Sequence, residues 1–299
     1  MIKIENLSFS YHKAAPILKN LSLHVLPGSI YGFIGSNGAG KSTAIRCILG
    51  LLSPKSGSVQ VLGLDQPTHR QDIIKRTGYL LEGPHFYSNL SCSENLKLLK
   101  YYYPIDGNRI EVVLKKVGLW EFKDRLYGKC STGMKQRLGI AKSFLYHPEL
   151  LILDEPLNGL DPEWIVETRM IIKDLHYNFG TTIFLSSHIL SELEKVVTHI
   201  GMLKNGQLEF EGPIDQFLKK TKTKQLFIVL ASIEKIASLN DTPGITLKGA
   251  QGNCLEFIIE DQANLNDFMT NLLATGANIL DIKTSEIGLE DTYMKTNSL

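Results

Sequence analysis

The sequence predicts an α/β domain with a parallel sheet, followed by a small α+β domain. Two observations lead to this prediction. Along residues 1–218, short apolar runs typical of buried strands alternate with stretches of helical spacing. Along residues 225–299, the apolar pattern predicts the order strand, helix, strand, strand, helix, strand. That order is the ferredoxin-like arrangement, so we expect a separate small domain there.

The elements of the larger domain follow from their apolar patterns in chain order. IKIENLSFSY alternates as a half-buried strand does, and KNLSLHVLPG is a second strand that ends at Pro27 and Gly28. SIYGFIG, LLILDEP and TTIFLSSH are continuous apolar runs, which indicate buried strands. STAIRCILGLL has helical spacing, and Asn205-Gly206 marks a tight hairpin. We expect a helical subdomain over about residues 85–147.

The smaller domain is preceded by KKTKTK, a charged stretch at residues 219–224 that we interpret as a linker. Its elements are predicted as strand 226–231, helix 232–240, strands near 245–248 and 254–260, helix 264–276 and strand 278–284.

Composition excludes several classes of protein. The chain has 299 residues, 43% of them apolar, and a formal net charge of +1, which argues against a general nucleic-acid binder. No apolar run approaches the length needed to span a bilayer, and the N-terminus lacks a signal-peptide core. We therefore expect a cytoplasmic chain that reaches the inner face of a membrane only through a partner. Because the four cysteines form no CxxC pair, neither a disulfide nor a zinc site is expected. They are Cys47, Cys92, Cys130 and Cys254.

The charge is unevenly distributed. Residues 225–299 hold 4 Lys and Arg against 10 Asp and Glu. The basic remainder suits a nucleotide or an acidic partner. The alternative is two domains whose solvated surfaces simply differ.

The stretch GSNGAGKST, residues 35–43, predicts a phosphate-binding loop. Gly35, Gly40, Lys41 and Ser42 match G-x-x-x-x-G-K-[ST] between a predicted strand and a predicted helix. Glycines let backbone N–H groups surround a polyphosphate, and the helix N-terminus favours the same anion. Lys41 would reach the β- and γ-phosphates, and the Ser42 hydroxyl would bind Mg²⁺. The alternative is a glycine-rich turn that binds nothing. The other residues expected around ATP here are Ser36, Asn37, Gly38, Ala39 and Thr43.

Two acids end the apolar strand LLILDEP. Asp154 is expected to hold Mg²⁺ through water, and Glu155 to act as general base for the attacking water. The alternative is an acidic strand end that faces solvent. The four apolar residues before the pair argue against that alternative.

CSTGMKQRLGIAKS, residues 130–143, lies between the two nucleotide motifs. With these residues the chain resembles the ATP-binding subunits of ABC transporters. The resemblance covers about residues 1–215 and implies that Ser131 and Gly133 open a helix that meets ATP held by the second subunit of a dimer. Thr132 stands where the family usually has glycine, so its Cβ is expected to hold the backbone slightly further from the phosphate.

The resemblance implies further site residues. Tyr11 matches the aromatic residue that stacks on adenine, although a tyrosine at a strand end can also belong to the core. Asp161, in Asn158-Gly159-Leu160-Asp161, matches a loop that crosses the dimer interface. His188 matches a histidine that contacts the γ-phosphate.

Glu82 departs from the family pattern, which usually has glutamine at this position. An ionised glutamate cannot donate a hydrogen bond and adds negative charge near the metal. We expect Glu82 to take part in metal and water coordination; the alternative is a neutral exchange. Glu82 together with GMKQRLGIA resembles the branch of bacterial exporters that confer lantibiotic immunity or bacitracin resistance.

The resemblance implies an ATP hydrolase that works as a dimer and energises separate membrane-spanning permease subunits. These would export or extract a peptide antibiotic or a similar membrane-active compound. In the family, the aromatic-rich region around Phe86, Tyr87 and Tyr101–Tyr103 meets the membrane subunit, although aromatic residues also fill cores. The alternatives are an ABC-2-type exporter with another cargo, a soluble ABC ATPase acting on DNA or ribosomes, and a nucleotide-gated module that hardly turns over.

Overall fold

The computed structural model describes residues 1–11, 15–81, 83–219, 223–232, 242–260, 263–286, 288–290 and 292–293. The chain divides into two compact units, Met1–Ile214 and Asp215–Leu299. This division differs from the expected linker at 219–224. A helix, Ile214–Lys219, spans the division, and a strand already begins at Thr223.

The first unit contains two sheets and a set of helices. Its strands are β1 (Ile2–Phe9), β2 (Leu18–Val25), β3 (Ile30–Ile34), β4 (Ser56–Val61), β5 (Leu64–Asp65), β6 (Thr77–Leu80), β7 (Leu150–Asp154), β8 (Thr182–Ser187), β9 (His199–Lys204) and β10 (Gln207–Pro213). Its helices are α1 (Lys41–Ile48), α2 (Arg70–Lys75), α3 (Cys92–Lys97), α4 (Arg109–Lys116), α5 (Thr132–Ser143), α6 (Pro162–Phe179), α7 (Leu190–Leu193) and α8 (Ile214–Lys219).

The larger sheet has the strand order β10-β9-β3-β8-β7-β6. All neighbouring pairs are parallel except β9 and β10, which form the predicted hairpin at Asn205 and Gly206. Both turn residues have positive φ, 50° and 81°, as a tight hairpin turn requires. Because β3, β7 and β8 are adjacent and parallel, their carboxyl ends meet at one edge of the sheet. Ligand sites of α/β proteins form at such edges.

The main core lies between this sheet, α1 and the antiparallel sheet β2-β1-β4-β5. Phe33 and Phe184, on neighbouring central strands, pack with ring centroids 5.3 Å apart. Ile45 and Ile48 of α1 are fully buried in the same cluster. The helix after the glycine-rich loop is thus fixed by apolar packing, which holds its N-terminus at the sheet edge.

The segment between β6 and β7 contains α3, α4, α5 and three 3₁₀ turns. Its helical character agrees with the subdomain expected at about residues 85–147. Arg109 joins two of its helices, since its guanidinium donates to the carbonyls of Phe144 and Leu145 at the end of α5, each at 3.0 Å. An ion pair between Lys116 and Asp174 joins α4 to α6.

The second unit contains β11 (Thr223–Leu230), β12 (Ile245–Gln251), β13 (Cys254–Glu260), α9 (Leu265–Ala274) and β14 (Ile279–Glu286). Its sheet has the order β12-β13-β11-β14, and each neighbouring pair is antiparallel. Phe268 and Leu272 of α9 are buried against Leu226, Ile228 and Phe257. The predicted helix 232–240 lies, apart from its first residue, outside the described residues. The ferredoxin-like assignment therefore stays a prediction, and the order of the described elements agrees with it.

Candidate functional site

The glycine-rich loop connects β3 to α1 and has the conformation that its sequence predicts. Gly38 and Gly40 have φ of 81° and 109°, in the left-handed region that favours glycine. Gly35 is required for a different reason, because a Cβ there would lie 2.5 Å from the carbonyl oxygen of Leu203. Ser36, Asn37 and Gly38 are exposed, whereas Ala39 and Gly40 are buried. The loop is thus anchored at both ends and presents its middle residues to solvent.

Lys41 begins α1, and its side chain turns back into the loop. Its Nζ donates to the carbonyls of Gly35, at 2.7 Å, and Ser36, at 3.2 Å. Burial lowers the pKa of Lys41, while the nearby carboxylates of Glu155 and Asp154 act in the opposite direction. The amine is therefore held inside the loop and close to both acids. Ser42 follows it at a half-buried position, and Thr43 is buried.

The two acids lie at the carboxyl end of β7, and a serine on the neighbouring strand joins them. Asp154 is paired in register with Ser186 of β8. The Ser186 hydroxyl donates to Asp154 Oδ1 at 2.6 Å and accepts from the Glu155 backbone N–H at 3.0 Å. Ser186 and Asp154 are buried. Ser186 was missed from the sequence, although two serines end the apolar run TTIFLSSH directly before His188.

Glu155 leaves the strand through a left-handed backbone, with φ of 50°. A non-glycine residue in this region is strained, and such strain often lies at functional sites. Its Oε2 lies 2.8 Å from His188 Nδ1 and accepts from the His188 backbone N–H at 3.3 Å. The structure therefore brings together Lys41, Asp154, Glu155 and His188, four residues that the sequence analysis assigned to one site.

Ser131 forms the N-cap of α5. Its Oγ accepts from the Met134 backbone N–H at 3.2 Å, and the residue is exposed. Gln136, one turn further along the helix, is buried and donates to the Pro156 carbonyl at 3.1 Å. The start of α5 is thus tied to the loop that follows the two acids.

That same loop packs against the start of α5. Gly159 has φ of 73°, and a Cβ there would lie 3.2 Å from Cγ2 of Thr132. A Cβ on Gly133 would lie 3.5 Å from the Gly159 carbonyl oxygen, which is an ordinary contact. Asp161 caps α6, since its carboxylate accepts from the Trp164 backbone N–H at 3.0 Å. Within the chain, Asp161 therefore has a structural partner of its own.

Tyr11 lies at the end of β1 and is 37% exposed. Its ring meets Phe9 edge-on at 4.9 Å, and its hydroxyl accepts from Arg46 Nη1 at 3.1 Å. Arg46 belongs to α1, so Tyr11 is held near the helix that follows the glycine-rich loop. Glu82 lies outside the described residues, and its expected part in coordination stays a prediction.

Two aromatic grooves lie beside the 3₁₀ turn that follows α3. One has a volume of about 440 Å³ and the other about 450 Å³, and Lys142 and Tyr102 line both. Tyr101 and Tyr102 are 84% and 77% exposed, and Tyr87 is 64% exposed. Aromatic residues in this region could also have filled a core, but these three lie on the surface. The other aromatic lining residues are Tyr79, Tyr103 and Tyr146 in the first groove and Phe86 in the second.

The described residues contain no group of three or more His, Cys, Asp or Glu side chains that could hold a metal ion. The candidate site instead offers two hard oxygen donors, the Ser42 hydroxyl and the Asp154 carboxylate. Mg²⁺ fits such a sparse set, because it is usually held by one or two carboxylates together with phosphates and water. Along the described part of the chain, no helix is both long and apolar enough to cross a membrane.

Comparison with known proteins gives consistent matches. A family model described as ABC transporter matches residues 18–158. The chain is 39% identical to the bacitracin transport ATP-binding protein BcrA of Bacillus licheniformis, over 99% of this chain and 96% of that protein. It is 43% identical to the lantibiotic transport ATP-binding protein SrtF of Streptococcus pyogenes, over 72% of this chain and 92% of that protein.

Solved structures agree on the fold. The ATP-binding subunit of an ABC transporter aligns with a TM-score of 0.68 at 30% identity, over 73% of this chain and 92% of that one. A dimeric ATP-binding cassette bound to ADP and Pi aligns with a TM-score of 0.66, over 72% of this chain and 99% of that one. Its identity of 23% makes it a match of fold alone.

Proposed function

The chain belongs to the ABC transporter family of ATP-binding proteins, and from this membership we propose that it energises the export or extraction of a peptide antibiotic or a similar membrane-active compound. The observation that carries the proposal is the meeting of Lys41, Asp154, Glu155 and His188 at one sheet edge. Likeness to a bacitracin transport protein over nearly the full length of both chains supports the cargo class. Separate permease subunits would carry the cargo.

ATP would bind with its phosphates in the loop Gly35–Thr43. The loop amides and the start of α1 form the electropositive end of a helix, which favours the polyphosphate. Lys41 would exchange its bonds to the Gly35 and Ser36 carbonyls for the β- and γ-phosphates. Ser42 and Asp154 would hold Mg²⁺, which neutralises charge on the phosphates when it is bound. The Tyr11 ring would lie against the adenine.

Glu155 is the proposed general base. Its carboxylate would accept a proton from the water that attacks the γ-phosphate. His188 lies 2.8 Å from the same carboxylate, so it can orient Glu155 and then contact the γ-phosphate itself. Ser186 is a positioning residue, because its hydroxyl fixes Asp154 and the backbone of Glu155 together.

The functional unit is proposed to be a homodimer that encloses two ATP molecules. Within one chain, the side chains of Ser131 and Asp161 cap their own helices. Both residues are exposed, which supports a role in contacting the nucleotide held by a second copy of the chain. A dimer would then contain two complete sites, each built from both chains.

The aromatic grooves are the proposed contact with the permease. Three tyrosines that are 64–84% exposed form an apolar surface that is unusual for a solvated turn. A cytoplasmic helix of the permease would cover it and hold this chain at the inner face of the membrane. Through this contact the chain would act in transport, although none of its described helices is long and apolar enough to cross the bilayer.

Hydrolysis tests the proposal first. Purified protein should turn over ATP in the presence of Mg²⁺, and Glu155→Gln should reduce turnover at least 100-fold, while ATP binding is retained. The variant should also form an ATP-dependent dimer, measured by light scattering after size-exclusion chromatography. Glu121→Gln, an exposed substitution of the same chemistry, is the matched control and should behave as wild type. Equal turnover in Glu155→Gln and wild type would contradict the assigned base.

The cargo is tested separately in the source cells. Deleting the coding sequence should lower the minimum inhibitory concentration of bacitracin or of a lantibiotic. Wild-type protein should restore it, and Glu155→Gln should not. Unchanged susceptibility to both compound classes would reject this cargo class.

A further inference from the structure

Two cysteines that are far apart in the sequence meet in front of α5. Residues 88–93 and 123–128 run antiparallel and exchange backbone hydrogen bonds. The Cys92 N–H donates to the Arg125 carbonyl at 3.0 Å, and the Tyr127 N–H donates to the Leu90 carbonyl at 2.9 Å. This ladder places Cys92 Sγ 3.6 Å from Cys130 Sγ. Both cysteines are free thiols in the structure.

The pair has the chemistry of a site that forms a disulfide. A disulfide bond is about 2.05 Å long, so the sulfur atoms have to approach by roughly 1.5 Å, partly by side-chain rotation and partly by movement of the backbone that precedes α5. Cys92 is fully buried, whereas Cys130 is 7% exposed, so an oxidant reaches Cys130 first. Burial, together with the hydrogen bond to Cys130, raises the pKa of Cys92 to about 12. This pKa keeps Cys92 a thiol at neutral pH, so Cys92 is not the first sulfur to attack an oxidant. Its position 3.6 Å from Cys130 Sγ places it for the second, resolving step.

We propose that Cys92 and Cys130 form a reversible modification site that hydrogen peroxide oxidises to a disulfide. The Cys130 thiolate attacks the peroxide and becomes a sulfenic acid, releasing hydroxide that is protonated to water. Cys92 sulfur then attacks the sulfenic sulfur; the S–S bond forms, the S–O bond breaks, and a second water leaves. The two thiols lose two electrons, which reduce one peroxide to two waters. A dithiol reductant reverses the step by thiol–disulfide exchange.

The consequence for turnover rests on the proposed function. Cys130 directly precedes Ser131, the N-cap of α5, whose side chain is proposed to meet the partner copy's ATP. Drawing Cys130 towards Cys92 displaces the start of α5 by up to about 1 Å. A misplacement of this size in a catalytic arrangement can cost about 100-fold in rate. We therefore expect oxidised protein to hydrolyse ATP at least 10-fold more slowly.

The experiment treats reduced full-length protein with hydrogen peroxide, blocks remaining thiols with N-ethylmaleimide and digests the protein with trypsin. Mass spectrometry should detect a peptide that links Cys92 to Cys130 and disappears after dithiothreitol. ATP turnover, measured on the same samples, should fall when the linked peptide forms and should recover when dithiothreitol removes it. Cys92→Ala should keep the turnover of the reduced wild type in the presence of peroxide; if it fails to fold, Cys130→Ala replaces it.

Cys254→Ser provides the matched control. Cys254 is half-buried in the second unit, so its removal should leave both the linked peptide and the loss of turnover intact. Absence of the Cys92–Cys130 peptide would overturn the modification site. A linked peptide with unchanged turnover would overturn its effect on the ATP site. Reduced protein without any turnover would instead count against the proposed function, and the linked peptide would still report on the disulfide.

Discussion

Replacing Ser186 with alanine tests whether one hydroxyl positions both acids. Ser186 is fully buried, and its hydroxyl joins Asp154 Oδ1, at 2.6 Å, to the Glu155 N–H, at 3.0 Å. A hydrogen bond to a charged group contributes about 1.5–3 kcal/mol, and an unsatisfied buried donor costs about 1–3 kcal/mol. Because the two effects share one atom, we expect Ser186→Ala to lower the free energy of unfolding by about 2–4 kcal/mol.

The same change should slow catalysis without abolishing ATP binding. Without the hydroxyl, the Glu155 N–H loses its acceptor, so the left-handed backbone of Glu155 is held less firmly and its carboxylate is positioned less precisely. A loss of at least 10-fold in kcat is expected, together with a higher Mg²⁺ requirement, because Asp154 loses its orienting donor. A serine with only a structural role would change stability but not the Mg²⁺ requirement.

The assay combines urea unfolding with steady-state ATP turnover. Trp120 and Trp164 are the two tryptophans of the chain and both lie in the first unit, so their fluorescence reports its unfolding. Ser143→Ala is the matched control: Ser143 is equally buried, but its hydroxyl donates only to the Ile140 carbonyl of its own helix. It should cost less than about 1 kcal/mol. If Ser186→Ala matched the control in stability and in turnover, Ser186 would not position the two acids.

Three further predictions concern the loop and the helices. Lys41→Ala should weaken ATP binding at least 10-fold in a fluorescent-nucleotide titration, and unchanged affinity would remove Lys41 from the site. Gly35→Ala should destabilise the first unit by about 1–3 kcal/mol, because its methyl group would lie 2.5 Å from the Leu203 carbonyl oxygen. In Gly38→Ala the methyl group meets nothing within 4 Å, so this variant should cost only the strain of a left-handed backbone, about 1–2 kcal/mol. The hydrogen bond from Lys116 lowers the pKa of Asp174, so this pair stabilises the fold above the unfolded pKa of about 4 and is lost as pH falls below it. Asp174→Asn should therefore flatten the acid side of the stability–pH curve, and an unaltered curve would contradict this.

The sequence predicted those parts of the site that neighbouring residues encode. The loop Gly35–Thr43 and the acids after LLILDEP each lie within one strand and its following turn, so local pattern and residue type were enough. Ser186 and the Cys92–Cys130 contact were not predicted. They depend on strand register and on packing between segments 32 and 38 residues apart. Such contacts leave no periodic signal in the sequence.

The second unit shows a similar limit at its edges. The strand predicted at residues 226–231 contains Leu226, Ile228 and Leu230, which are fully buried. The strand begins earlier, at Thr223, because backbone pairing with β13 and β14 continues through the polar residues: Thr223 pairs with Glu260, and Lys224 with Glu286. Apolar alternation marks where a strand is buried, whereas backbone pairing decides where it starts. The strand therefore includes the last two residues of the predicted linker, Thr223 and Lys224.

Co-purification with a membrane protein tests the central claim most directly. Glu155→Gln, which should hold ATP without hydrolysing it, would be affinity-purified with ATP from detergent-solubilised membranes of the source cells, and the associated proteins identified by mass spectrometry. We expect a polytopic membrane protein in stoichiometric amount, and a weaker yield when Tyr101 and Tyr102 are changed to serine. Recovery of only soluble proteins or ribosomes would contradict it.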